Sequence, residues 1–159
     1  MLHIDIITVG KLKEKYLVQG VEEFLKRLKP YAKVEIVEVA EEKIPDNPSP
    51  GDVQKAIAKE GERLLAKVSP RSYVFALDLH GVELSSEQLA AKIEDLTTTN
   101  SSLSFIIGGA FGISPEVTAR ADFRLRFSKL TFTHQMIRLI LVEQVYRAFK
   151  IIRNEKYHW

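Results

Sequence analysis

Residues 130–149 read LTFTHQMIRLILVEQVYRAF, and the centre of the stretch, MIRLILV at 136–142, is apolar on almost every side. Such a run is a helix buried between other elements or against a second copy of the chain. Arg138 breaks it, with His134 one turn earlier. A guanidinium inside an apolar helix is costly unless something pairs with it. The reading that follows is that Arg138 points from the helix start into a polar pocket. A structural pair with Glu143, or with a carboxylate of a second subunit, is the alternative.

Working outward, the rest of the chain alternates between two periodicities. HIDIITV (3–9), KVEIVEV (33–39), SYVFALDL (72–79), LSFIIGG (103–109) and FRLRFS (123–128) are short, β-branched or aromatic runs that predict strands. Between them lie KEKYLVQGVEEFLKRL (13–28), stopped by Pro30, and DVQKAIAKEGERLLAKV (52–68), stopped by Pro70. SEQLAAKIEDL (86–96) follows a capping box of Ser85 and Gln88. SPEVTARA begins at the N-cap candidate Ser114 with Pro115 in the first turn, and the last helix is expected from about His134 to Ile152. Five strands alternating with five helices predict an α/β fold: a mostly parallel five-stranded sheet with helices on both faces. One domain, 1–159, is expected, because EEKIPDNPSPGD (41–52) is the only loop-like segment of any length and no repeat is visible.

Composition narrows the function classes. With no cysteine there is neither a disulfide framework nor a thiolate metal site, and the four histidines share no short ligand spacing, so no metal is expected. No apolar run reaches membrane-span length and the start is unlike a signal peptide, so a soluble, cytoplasmic protein without a membrane partner is expected. The formal charge is +2, unevenly placed. Residues 120–159 hold nine Lys/Arg against three Asp/Glu, or +6; the remaining fourteen against eighteen give −4. A basic C-terminal quarter points to a polyanionic partner or to an ordinary solvated face.

In open α/β sheets ligands sit beyond the carboxyl ends of strands. The first strand ends in TVGKLKEKY, which carries neither a dinucleotide fingerprint nor a P-loop. The fourth ends in IIGGAFGIS, where glycines 108, 109 and 112 let backbone turn and approach a ligand. The third ends in ALDLHG and the fifth in FSKLTFTHQ. Together these loops could build a pocket offering backbone groups to a flat, polar ligand, although a plain strand-to-helix turn would explain the glycines equally.

IIGGAFG, then FSKLTFTHQMIRLILVEQVYRAFKI, then a terminal YH, together with ITVGKLKEKY, KEGERLLAK and LDLHG, span nearly the whole chain. This combination resembles the small SPOUT methyltransferases, and within them the ribosomal large subunit pseudouridine methyltransferase H family. The family commonly has proline before the histidine; this chain has Thr133, which can N-cap the helix instead. The resemblance implies a C-terminal deep trefoil knot, an exception to the rule that chains are unknotted. It implies S-adenosylmethionine as cofactor, held by Leu77, by Gly108 and Gly109, and by Phe127, Ser128, Lys129, Leu130, Thr131 and Phe132. It also implies a homodimer with the last helix at the interface. The substrate the resemblance implies is large-subunit ribosomal RNA, not DNA, methylated at N3 of a pseudouridine, and the small size of the chain favours the assembled ribosome.

That chemistry asks for specific groups. N3 is a weakly acidic imide nitrogen, so its proton needs a base, or its oxygens a cation, as charge develops. Arginine stays protonated, so Arg138 is expected to hold the base or a phosphate rather than take a proton. Histidine is the residue type that titrates near neutrality, and His134 and His158 are the two near this helix. Tyr157 could stack on the base or donate a hydrogen bond to it. The bland readings are that His134 caps the helix and that EKYHW is a frayed tail. A non-enzymatic ribosome- or RNA-binding protein on the same fold is the alternative function.

Overall fold

The computed structural model describes residues 1–158 of the chain. Its elements are β1 (His3–Val9), α1 (Lys15–Leu28), β2 (Lys33–Val39), α2 (Pro50–Ala66), β3 (Tyr73–Glu83), α3 (Ser86–Leu96), β4 (Ser102–Ile107), α4 (Pro115–Arg120), β5 (Phe123–Arg126) and α5 (Met136–Ile152). The strands form one sheet in the order β2-β1-β4-β3-β5, and each pair is parallel. The expected α/β architecture is therefore present.

Alternation along each strand explains the two layers of helices. Ile4 and Ile6 of β1, Phe75 of β3, and Leu103 and Phe105 of β4 face a core completed by α1, α3 and α5. Ile7, Val9, Val74, Ala76 and Ile106 face the opposite way, onto Leu64 of α2 and Val117 of α4. Both faces are buried along β1, β4 and the first half of β3, which is why these read as nearly unbroken apolar runs, whereas the edge strands β2 and β5 alternate with charged residues. Phe75 and Phe105 stack at 4.6 Å between centroids in the middle of the first layer. After β5, at one edge of the sheet, the chain returns to set α5 against α1 and α3. Segment 127–135 therefore crosses the carboxyl ends of the inner strands.

Several element ends differ from the sequence reading, among them those of α2, β3 and α5. Helix α2 starts two residues earlier than the expected Asp52, because Ser49 caps it: its hydroxyl accepts the Asp52 N–H, and the Asp52 carboxylate accepts the Ser49 N–H. Strand β3 runs past Leu79 to Glu83, pairing with β5 a second time at Val82 and Glu83 after a register shift. Helix α5 begins at Met136 rather than His134, and the Thr133 hydroxyl accepts the Met136 N–H at 3.1 Å. The residue before the helix, Gln135, makes no side-chain cap bond; the Thr133 hydroxyl instead holds the turn that leads into it, and His134 does not cap it.

Candidate functional site

A cavity of about 720 Å³ lies at the carboxyl ends of β3, β4 and β5. Leu77, Gly108, Gly109, Phe127, Ser128, Thr131 and Phe132 line it, as does His134. Lys129 and Leu130, between them in sequence, are outside the lining, and Leu130 is 75% exposed. Ile107, Thr133, Gln135 and Ile137 complete the wall on the α5 side. The sequence placed the three loops together because parallel strands in one sheet must end on the same side. It did not single out Asp78, Arg126, Gln135 or Ile137.

The two glycines are constrained by what lies behind them. A Cβ on Gly108 would come within 2.5 Å of the Gly112 carbonyl oxygen, so the loop can fold back on itself only without a side chain there. Gly112 has φ +96°, in the left-handed region, and its N–H donates to the Gly109 carbonyl at 3.1 Å. A Cβ on Gly109 would lie 2.8 Å from Oε1 of Glu60, beneath the loop.

At the rim, Asp78 accepts the His80 N–H at 2.9 Å and Nε–H of Arg124 at 2.7 Å. Burial alone would raise its pKa, but these bonds and the Arg124 charge outweigh it and hold the carboxyl below its ordinary value. On the opposite wall, Gln135 ties α5 to the β1–α1 loop. Its Nε2 donates to the Lys11 carbonyl at 2.9 Å, and its Oε1 accepts the Lys13 N–H at 3.4 Å.

Arg138 is not in this cavity. It is fully buried, and its guanidinium donates to Oε2 of Glu38 at 2.6 Å and to the Gly10 carbonyl at 3.1 Å. The expected polar pocket is thus not where its side chain goes, and Glu143, the alternative partner, bonds to Arg147 and Tyr157 instead. Burial lowers the Arg138 pKa and the Glu38 bond and charge oppose it. Its Nε, like the hydroxyl of Thr8, is buried without a hydrogen-bond partner. Arg138 clamps the start of α5 onto the ends of β1 and β2, one residue from the cavity-lining Ile137.

Tyr157 and His158 are not in the cavity lining either, and they are not frayed. The tail folds back over α5: the Tyr157 hydroxyl donates to Oε2 of Glu143 at 2.7 Å, and its ring meets Tyr146 edge-on at 4.9 Å. Burial, then the Glu143 bond, pushes the Tyr157 phenol up to about 12. His158 contacts Arg147 at 3.1 Å through Nδ1 and Glu87 of α3 at 2.6 Å through Nε2. Arg147 also donates to Glu143 at 2.9 Å and stacks over Tyr157 at 4.8 Å. In the sequence, Arg147 is signalled only by its spacing of four from Glu143 on one helix face.

His3, Asp5 and Glu35 bring ligand atoms within 4.8 Å of one another at the far end of β1 and β2, but His3 is bonded to Asp5 and Lys33 sits 3.7 Å from Glu35. The set lies on the amino-terminal side of the sheet, away from the cavity.

A family described as predicted SPOUT methyltransferases matches residues 2–158. The chain is 54% identical to the ribosomal RNA large subunit methyltransferase H of Carboxydothermus hydrogenoformans over 158 residues, covering 99% of each chain. It is 52% identical to the protein of that name from Moorella thermoacetica, again over 99% of each. Among solved structures, a probable methylase family protein from Haemophilus influenzae Rd KW20 superposes with a TM-score of 0.51 at 12% identity. That match covers 99% of this chain and 70% of the other, and it shows the fold alone.

Proposed function

The chain belongs to the SPOUT methyltransferase family, and from that premise we propose that it methylates N3 of a pseudouridine in large-subunit ribosomal RNA. The methyl donor is S-adenosylmethionine, the substrate is the assembled ribosome, and the working unit is a homodimer of single-domain subunits, each with the family's C-terminal knot. The observation that carries this reading is the 720 Å³ cavity where three strand ends meet. Its size falls within the range of about 300–1,000 Å³ usual for small-molecule sites. Apolar Leu77, Ile107, Phe127 and Ile137 suit a flat adenine, Ser128 and Thr131 offer hydroxyls, and the glycine edge lets backbone groups come close. A non-enzymatic RNA-binding protein would leave this cavity without a purpose.

The donor supplies an electrophilic methyl on a sulfonium, so its leaving group needs no acid. The chain must hold the base in line, keep water out and remove the N3 proton. His134 is the imidazole on the cavity wall and is assigned the proton. Arg138 is assigned to positioning, because touching a base would require breaking its Glu38 pair. Tyr157 and His158, with Arg147, are assigned to the substrate. They sit on the α3–α5 face rather than in their own subunit's cavity, which supports a tail serving the cavity of the second subunit.

Mass spectrometry of ribosomal RNA from cells with and without the protein tests the function. A methylated pseudouridine that disappears with the protein is expected; an unchanged modification profile overturns the proposal.

A further inference from the structure

Glu60 of α2 is a carboxyl that none of the roles above uses. It is 94% buried, being 6% exposed, and stands behind the glycine loop. Its Oε2 accepts the Glu42 N–H at 3.0 Å, while its Oε1 faces the Cα of Gly109, and Gly109 itself lines the cavity. The neighbouring cations are committed elsewhere or stand off. Arg63 and Lys59 both turn to Glu42, at 2.7 and 3.7 Å, and Lys13 and Lys43 share only the outer hollow with it. Among the described residues no salt bridge reaches Glu60, and Glu41 and Glu42 add like charge. Burial, foremost, raises its pKa, and those two carboxylates add to the effect against the Glu42 N–H and Arg63. A buried carboxyl without a counter-ion is expensive, and a chain that only needed an acceptor for one N–H could use a neutral amide.

We propose that Glu60 is the counter-charge for a cationic ligand in the cavity, acting through the Gly109 backbone to favour the sulfonium donor over its neutral thioether product. This rests on the reading of the cavity as the S-adenosylmethionine site. Donor and product differ chiefly by the methyl and its positive charge, so one fixed negative charge nearby strengthens donor binding and leaves product binding almost untouched. That difference loads the site before the reaction and loosens it afterwards. Glycine at 109 follows from the same need, since a side chain there would displace the carboxylate. Because Glu60 must be ionised to act, donor affinity falls as pH is lowered through its raised pKa, while product affinity does not.

Calorimetry of the full chain with S-adenosylmethionine and, separately, S-adenosylhomocysteine tests this on wild type, Glu60→Gln and Glu60→Asp. Gln keeps the acceptor for the Glu42 N–H and removes only the charge. The expected result is donor binding weakened about tenfold in Glu60→Gln, the scale of one unit charge at a protein-like dielectric, with product binding within twofold and Glu60→Asp restoring part of the preference. Equal weakening of both ligands, or of neither, overturns the proposal. If wild type binds neither ligand, the reading of the cavity has failed instead. A fold-related loss is recognised separately, because it would lower the thermal midpoint, whereas removing an uncompensated buried charge is expected to hold or raise it at neutral pH.

Discussion

At the scale of single residues the site turns on absences as much as on side chains. Gly108 is needed because backbone lies where its Cβ would be, and Gly109 because a buried carboxyl does. Gly108→Val and Gly109→Val are both expected to abolish S-adenosylmethionine binding by calorimetry while leaving far-UV circular dichroism near wild type. Gly108→Val should be the more disruptive, since the Gly112 carbonyl cannot swing aside as the end of Glu60 can. Arg138 obeys a different logic. Its cost inside α5 is offset by two hydrogen bonds made to residues 100 and 128 positions away. Arg138→Ala should lose about 2 kcal/mol of stability in urea unfolding, the scale of charge-assisted bonds reduced for the partial exposure of Glu38. Donor affinity should fall with it, because α5 then loses its anchor beside the cavity wall. Full donor affinity in this variant, with methyl transfer lost, would instead put Arg138 on the substrate.

At the scale of elements, α5 and the tail that folds over it make one unit. Leu141, Val142 and Val145 are buried in the chain's own core, whereas Met136, Ile137, Leu139 and Ile140 are only half-buried. The apolar run at 136–142 is therefore partly covered by α1 and α3. Tyr157 carries a pH prediction. Its folded pKa of about 12 stands above the ordinary tyrosine value of 10.0, so the folded state holds this proton more tightly than the unfolded one. The stability this contributes is fully present below pH 10 and is lost as pH rises through about 12. Spectrophotometric titration at alkaline pH should show the tyrosinate step near 12 missing in Tyr157→Phe. That variant should keep donor binding within a few-fold and lose methyl transfer to ribosomes, since the substituted group is outside the cavity.

At the scale of the whole molecule, apolar side chains remain on the two segments that flank the cavity: Leu79 and Val82 on one, Leu130 and Phe132 on the other. A second copy covering them would place its own α5 and tail near the opening. Light scattering at micromolar concentration is expected to give a dimer, and charged substitutions at Leu130 and Val82 a monomer. Mixed dimers supply the sharper measurement. Subunits carrying Gly109→Val, paired with subunits carrying Tyr157→Ala, should recover part of the activity that neither homodimer has; no recovery would mean that each tail serves its own cavity.

Much of this was legible in the chain itself. Strands buried on both faces, a capping box at Ser85, prolines that stop helices and glycines after β4 are local signals, and local physics decides them. The meeting of Leu77, Gly108 and Phe127 at one cavity also follows from the sequence, because parallel strands end together. Pairings between side chains far apart in the chain could not be read that way. Glu38 rather than Glu143 for Arg138, Glu87 for His158, and Glu60 under Gly109 depend on which helix lies against which strand end. A charge finds its partner by distance in space, and only the packed sheet and helices set that distance.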